Sequence, residues 1–253
     1  MALSLFSPPP SSSSSRTPAA ATLGFALYYL ATHPEWDARA VAEIDAVLGG
    51  RGEPGAADLG KLVTLEAIFK EALRLHPPVG AVSRDATADT TLGGGRWVVR
   101  RGQRVMVNIV GLHRREDVWG GEEWGPATAF NPARFLPGAP GAADRSRFAF
   151  LPFGFGVRTC AGSAFALMEA KTMLAVFLKN FIVRVPPGYR AFSSFRDGGA
   201  ASTPDGLTLL LYPRPGAPPA AGPDSPAAAA PAAAVTNGPA PPQRSPTAPP
   251  RRR

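Results

Sequence analysis

The chain has 253 residues, of which 45% are apolar and 18% are charged, and its formal net charge is +8 at pH 7. The termini hold six of the 27 basic residues and one of the 19 acidic residues, so residues 19–212 carry a net charge of only +3, which does not call for a nucleic-acid partner. The single cysteine, Cys160, excludes a disulfide within the chain and fits a reducing compartment.

Both termini are predicted to be disordered. Residues 1–18 are mostly Ser, Pro and small residues, and residues 213–253 contain 13 Pro and 12 Ala but no aromatic residue. Such segments bury too little apolar surface to offset the entropy of ordering them. We therefore expect a leader at 1–18, a folded domain at 19–212 and a tail at 213–253. The Ser-rich leader weakly resembles a transit peptide, which leaves a cytoplasmic or an organellar location open.

Three helices are predicted in the first part of the domain. Residues 19–31 are apolar on every face, which predicts a buried helix, but this run is shorter than the roughly 20 residues of a membrane span. Residues 32–35 have the spacing of a capping box with Pro34 in the first turn, so a second helix follows and stops at Gly49 and Gly50. Asp58 is predicted to cap a third helix, which ends at Leu75 before two prolines.

The remaining elements are short strands and one long helix. Extended segments at 90–92, 97–99 and 104–110 predict a small antiparallel hairpin system, and residues 113–147 are an irregular stretch rich in Gly, Pro and charge. Residues 163–180 are apolar nearly all round and predict a second buried helix. Closing strands follow at 181–185 and 207–212. The fold class is mainly α with a small antiparallel β part.

The most specific motif surrounds the cysteine, within Phe153–Gly162. It fixes Phe153, Gly156, Arg158, Cys160 and Gly162, a pattern that arises by chance in a chain of this length less than about once in a thousand. A cysteine thiolate is a strongly donating metal ligand, and haem iron is one of its partners. The alternative interpretation is a small buried cysteine in a Gly-rich turn.

Two further motifs carry charge. Glu71 and Arg74 form a Glu-x-x-Arg pair, and the helical wheel alone places them opposite the apolar stripe, as an exposed ion pair. About 60 residues later, Phe130–Phe135 has the pattern Phe-x-Pro-x-Arg-Phe, with Arg134 as its basic residue.

The three motifs, in this order, resemble the cytochrome P450 family of haem-thiolate monooxygenases. The resemblance implies that Cys160 is the proximal ligand of haem iron, that Arg158 pairs with a haem propionate and that Phe153 packs beside the sulfur. Gly156 and Gly162 are expected to provide the tight turn and the close approach of the backbone to the haem. The chain corresponds to the C-terminal, haem-binding portion of the P450 fold.

The resemblance also implies a buried network and several partners. Glu71, Arg74 and Arg134 are expected to form a buried cluster that holds the cysteine loop, against the indication of the helical wheel. The implied cofactor is haem b, with electrons from an NADPH-dependent reductase through a flavin or ferredoxin-type partner, and the implied substrate is small and apolar. Segments at 89–94, 112–114 and 118–121 look like the self-sufficient fatty-acid hydroxylases, so a fatty-acid-like substrate is expected.

The sequence departs from the family where oxygen is activated. The family carries an acid and a threonine before the helix at 19–31, but here Ser14–Pro18 stands in their place, so no residue of this chain is assigned to oxygen activation. We expect a truncated form that does not hold haem stably or turn over substrate alone. Two alternatives stay open: an inactive remnant that serves as an interaction module, and a haem-thiolate isomerase or dehydratase that needs no acid–alcohol pair.

The three histidines are interpreted as structural residues. His33, His76 and His113 lie at a helix start, a helix end and in the Leu112-His-Arg segment, and none has metal-ligand spacing to another.

Overall fold

The chain folds mainly into helices with small antiparallel sheets, as predicted. A computed structural model describes residues 2–4, 18–191, 194–196, 200–202 and 207–216. The predicted disordered leader and tail lie outside the described residues, apart from Ala2–Ser4 and Pro18 at one end and residues 213–216 at the other. Ala2–Ser4 is a strand in the structure rather than part of an irregular leader.

The helices are named in chain order. They are α1 (Pro18–Thr32), α2 (Pro34–Leu48), α3 (Val63–Leu75), α4 (Ile109–His113), α5 (Glu116–Trp119) and α6 (Ser163–Asn180), with 3₁₀ turns at Leu59–Lys61, Pro132–Phe135 and Gly156–Arg158. Within the described part of the chain, none of these helices combines the length and the apolar character that crossing a membrane requires.

The strands of the described residues form four small antiparallel sheets. They are β1 (Ala2–Ser4), β2 (Ala81–Asp85), β3 (Thr90–Leu92), β4 (Trp97–Val99), β5 (Arg104–Asn108), β6 (Phe181–Arg184), β7 (Ser194–Arg196), β8 (Ala200–Ser202) and β9 (Thr208–Pro213). The sheet orders are β1-β9-β6, β2-β5, β3-β4 and β7-β8. In the largest sheet β9 is central, and Val183 of β6 lies opposite Leu211.

The main core lies where α1, α2, α3 and α6 meet. Most of α1 is buried, as its apolar composition predicts, and the helix contributes Leu23, Leu27 and Leu30 to this core. Helix α3 packs against α1 on one side and against the 3₁₀ turn at Pro132–Phe135 on another, so nearly all of its residues are buried. Only Val63, Glu66 and Lys70 are half-exposed, so Glu71 and Arg74 are enclosed together with the apolar residues of α3.

Helix α6 is only partly buried, so the prediction for it was wrong in part. Ala170, Leu174 and Leu178 face the core, whereas Phe165 and Met168 are 64% and 48% exposed. The described part of the chain covers one side of this helix and leaves the other side open.

Two predicted caps do not form. Thr32 ends α1 and its hydroxyl donates to the carbonyls of Tyr28 and Tyr29, both at 3.1 Å, so α2 begins at Pro34 without a side-chain cap. Asp58 pairs instead with Arg51 at 2.7 Å, and this charge-assisted contact holds its pKa down at about 2.

The start of α3 is capped by a residue from α2. The Glu43 carboxylate accepts hydrogen bonds from the backbone N–H of Thr64, at 2.7 and 3.0 Å to its two oxygens, and from that of Leu65 at 3.2 Å. These donors have no partner within the helix, and the negative charge suits a helix N-terminus.

The hairpin prediction was right for β3 and β4 and too long for β5. The strand ends at Asn108, whose side chain accepts from the N–H of Gly111 at 2.8 Å and begins α4. An amide side chain in this position favours a helix start over a longer strand. Ile109 is buried, in α4 rather than in the strand.

Candidate functional site

A buried carboxylate on α3 is the centre of the candidate site. Glu71 and Arg74 lie one helical turn apart, and both side chains are fully shielded from solvent. Arg74 donates from Nε and Nη2 to the two oxygens of Glu71, each at 2.7 Å. This bidentate fork is among the strongest pairings that a carboxylate and a guanidinium can form.

A second arginine shares the same carboxylate. Arg134, on the 3₁₀ turn Pro132–Phe135, donates from Nε to Oε1 of Glu71 at 3.3 Å, and the backbone N–H of Asn131 donates to the same oxygen at 2.9 Å. Burial lowers the pKa of Arg134, and the adjacent negative charge of Glu71 opposes that shift. Two cations therefore share one anion in a site without solvent.

Backbone carbonyl groups of residues 113–129 satisfy the remaining guanidinium donors. Arg74 donates to the carbonyls of His113, Ala127 and Ala129, and Arg134 to those of Trp119, Trp124 and Pro126. These contacts hold the irregular stretch against α3 and cover the face that the helical wheel assigns to solvent. The structure thus brings Glu71, Arg74 and Arg134 together in a buried cluster, as the resemblance implied.

The cysteine loop folds back on itself through two backbone hydrogen bonds. The N–H of Gly154 donates to the carbonyl of Leu151 at 3.1 Å, and the N–H of Cys160 donates to the carbonyl of Phe153 at 2.9 Å. Gly154 and Gly156 have φ of +74° and +75°, a conformation that favours glycine. The second hydrogen bond therefore brings the backbone of Cys160 back beside Phe153.

The cysteine side chain is exposed, so the alternative interpretation of a buried structural cysteine is wrong. Gly162 precedes α6, and a Cβ at this glycine would lie 3.8 Å from the Cys160 sulfur. Arg158 is also exposed, while Phe153 is half-buried and packs against the main core. The loop thus presents a thiol and a guanidinium to the outside and anchors itself through an aromatic ring.

The surface beside the loop is apolar. Five large apolar side chains within twelve residues of Cys160 in the sequence are exposed: Phe148, Phe155, Val157, Phe165 and Met168. Phe148 and Phe155 form an edge-to-face pair with centroids 4.6 Å apart. Large exposed apolar patches usually mark a binding site.

The donor set fits haem. A soft thiol, an open apolar surface and a free guanidinium match an iron macrocycle that is flat, apolar and bears carboxylates. Among the described residues no group of three or more His, Cys, Asp and Glu lies close enough to hold a metal ion.

His76 and His113 lie in the interior, and His33 is half-buried beside the start of α2. The ring of His76 stacks on Phe25 at 3.7 Å, and its Nε2 lies 2.9 Å from the hydroxyl of Tyr29. Burial and the nearby positive charge of Arg114 lower the pKa of His76 to about 3.

The sequence interpretation missed one connection. His113 is fully buried, and its Nε2 lies 2.8 Å from the backbone N of Leu151, at the start of the cysteine loop. From the sequence, Leu112-His-Arg stands out only through its resemblance to the family. The predicted loss of the oxygen-activating pair falls at Ser14–Pro18, of which only Pro18 lies within the described residues.

Comparisons with known proteins agree on one family. A family model described as Cytochrome P450 matches residues 17–211. The chain is 38% identical over 189 residues to Cytochrome P450 734A1 of Arabidopsis thaliana, covering 75% of this chain and 33% of that protein. It is 36% identical over 199 residues to 11-oxo-beta-amyrin 30-oxidase of Glycyrrhiza uralensis, covering 79% of this chain and 34% of that protein. The chain thus spans about a third of the length of these relatives.

The fold comparison gives the same result. A crystal structure of a cytochrome P450, CYP102L1, superposes with a TM-score of 0.68 at 34% identity, and the match covers 78% of this chain and 42% of that one.

Proposed function

We propose that this chain, which belongs to the cytochrome P450 family, provides the proximal side of a haem-thiolate monooxygenase site. The observation that carries the proposal is the exposed thiol of Cys160, held on a glycine turn beside apolar surface. Haem b bound at this thiolate supplies the activation of dioxygen, with one oxygen atom inserted into an apolar substrate.

Each residue of the loop has a distinct task in this proposal. Cys160 would hold the iron as its thiolate ligand, and haem held in this way would supply the chemistry of dioxygen activation. Arg158 pairs with a haem propionate through charge-assisted hydrogen bonds. Phe153 packs against the core beneath the loop, Gly156 makes the turn, and Gly162 lies beside the sulfur, where a Cβ would be 3.8 Å from it. The Glu71–Arg74–Arg134 cluster holds the scaffold on which the loop rests.

The proposed partners follow from the chemistry. Monooxygenation consumes two electrons, which we assign to an NADPH-dependent reductase acting through a flavin or ferredoxin-type protein. The proposed substrate is a small apolar molecule, with a fatty acid as the first candidate. One relative is named for the oxidation of 11-oxo-beta-amyrin, which makes that compound a second probe.

The test is the absorption spectrum of the purified chain in excess haemin, reduced and exposed to carbon monoxide. A Soret band at the thiolate-specific position is expected in the wild type and in Ser163→Ala, which keeps the thiol. Cys160→Ser should lose the band, because an alcohol is a far weaker donor than a thiolate. Absence of the band from the wild type, or its survival in Cys160→Ser, contradicts the proposal.

Gel filtration of the same sample tests the retention of haem separately. Loss of the thiolate-type band on the column agrees with the expectation that this chain alone holds haem weakly. Retention of the band contradicts that expectation and leaves the assignment of Cys160 intact.

A further inference from the structure

His113 connects the two halves of the candidate site. Its backbone carbonyl accepts a hydrogen bond from Nη1 of Arg74 at 2.8 Å. Its ring nitrogen Nε2 lies 2.8 Å from the backbone N of Leu151. One residue at the end of α4 therefore contacts both the buried charge cluster and the beginning of the cysteine loop.

The direction of the second contact is fixed by its chemistry. A backbone N–H can only donate, so Nε2 of His113 must be the acceptor and the ring proton must sit on Nδ1. Burial and the neighbouring Arg74 charge lower the pKa of His113 to about 4, which keeps the ring neutral and Nε2 available near pH 7. A protonated ring could not accept this hydrogen bond.

Packing alone does not account for a histidine in this position. The ring lies 5.1 Å from that of Phe150, a contact that any aromatic side chain could make. The buried Nδ1 has no hydrogen bond of standard geometry among the described residues, although backbone groups of Arg74 and Leu73 lie near enough to favour a proton on the ring. An apolar ring offers no acceptor to the N–H of Leu151, so the acceptor at Nε2 is what histidine specifically provides.

The anchored amide is linked to the thiol by two short steps. The carbonyl of Leu151 accepts from the N–H of Gly154, which closes the turn, and the carbonyl of Phe153 accepts from the N–H of Cys160. Fixing the N–H of Leu151 therefore fixes the residue from which the turn begins and, through that turn, the place to which Cys160 returns.

We propose that His113 is a positioning residue. By accepting the hydrogen bond from the N–H of Leu151 at Nε2, it fixes the cysteine loop relative to the buried charge cluster. The importance of the thiol rests on the proposed function, but the link between His113 and the loop is a property of the chain itself. It can therefore be measured without haem.

The test is amide hydrogen exchange of the full chain by NMR at neutral pH. In His113→Leu the amides of Leu151 and Cys160 should exchange roughly ten- to a hundredfold faster, the range expected when a buried donor loses its acceptor. His113→Gln should restore most of the protection, because the Gln side-chain oxygen reaches the position of Nε2. His33→Leu, which removes a histidine at the start of α2, should leave both rates unchanged.

Amides of α3 serve as the internal reference. If His113 acts only through packing, exchange in α3 and in the loop rises by the same factor, and the inference is overturned. If His113→Leu does not fold, His113→Gln and His113→Asn decide instead: the shorter Asn cannot reach Leu151, so equal loop protection in these two variants overturns the inference.

A spectrum in haemin separates this inference from the proposed function. A faster loss of the thiolate-type band in His113→Leu than in His113→Gln supports both. If the wild type shows no such band while the loop exchange still follows the acceptor, the proposed function fails and the positioning role stands. The remaining outcome is a band that depends on Cys160 while every His113 variant keeps both the band and the protection of the loop amides. In that case only the positioning role fails.

Discussion

Replacement of Glu71 by Gln tests whether the buried charge cluster holds the fold together. Glu71 accepts four hydrogen bonds, two from Arg74, one from Arg134 and one from the backbone of Asn131. The amide keeps the shape of the side chain but leaves two cations buried without an anion. Removing one partner of a buried ion pair costs about 3–5 kcal/mol, a large part of the roughly 5–15 kcal/mol that stabilises a domain.

The matched control is Asp85→Asn. Asp85 and Arg104 form the same two-pronged contact, at 2.7 and 3.1 Å, but both side chains are more than half exposed. Exposed ion pairs contribute about 0–1 kcal/mol, so this variant should unfold almost like the wild type.

Urea unfolding of the full chain, followed by circular dichroism, measures both variants. With a slope of about 2 kcal/mol per molar urea, Glu71→Gln should lower the midpoint by about 2 M, whereas Asp85→Asn should lower it by less than about 0.5 M. Equal small shifts in the two variants would refute the view that burial makes the Glu71 cluster important.

The helices were the part of the fold that the sequence predicted best. A long apolar run such as 19–31 has few ways to be satisfied except inside a core, and α1 is buried accordingly. The same reasoning failed in part for α6, where Phe165 and Met168 are exposed. An apolar composition shows that a helix needs apolar neighbours on all sides. It does not show whether the described residues supply those neighbours.

Helix caps were predicted poorly because sequence patterns register only local partners. The spacing of Thr32 and Glu35 suits a capping box, yet the Thr32 hydroxyl turns back to the carbonyls of its own helix. The start of α3 is capped from 21 residues away, by Glu43. No local pattern points to a cap contributed by a neighbouring helix.

The candidate site shows the same division between local and distant information. A helical wheel treats one side of a helix as exposed, and by that criterion Glu71 and Arg74 are surface residues. In the structure, residues 113–134 cover that side, and backbone carbonyls of this segment accept hydrogen bonds from the guanidinium groups of Arg74 and Arg134. Only the motif order, through the family resemblance, indicated burial, and nothing in the sequence identified His113 as the contact with Leu151.

Two further variants test the distant contacts. Glu43→Ala should lower the melting temperature through a loss of about 1 kcal/mol, because Thr64 and Leu65 lose their acceptor at the start of α3; an unchanged melting temperature contradicts this cap. The second concerns acid stability. The pKa of His113 is lowered to about 4, so between pH 6.5 and 4 the unfolded chain binds the extra proton and stability falls as pH falls. The loss assigned to His113 is about 3 kcal/mol over that range, and it should be absent from His113→Gln, which cannot titrate. Urea midpoints of both proteins across this range measure the difference, and parallel pH curves would show that His113 is not held neutral by the fold.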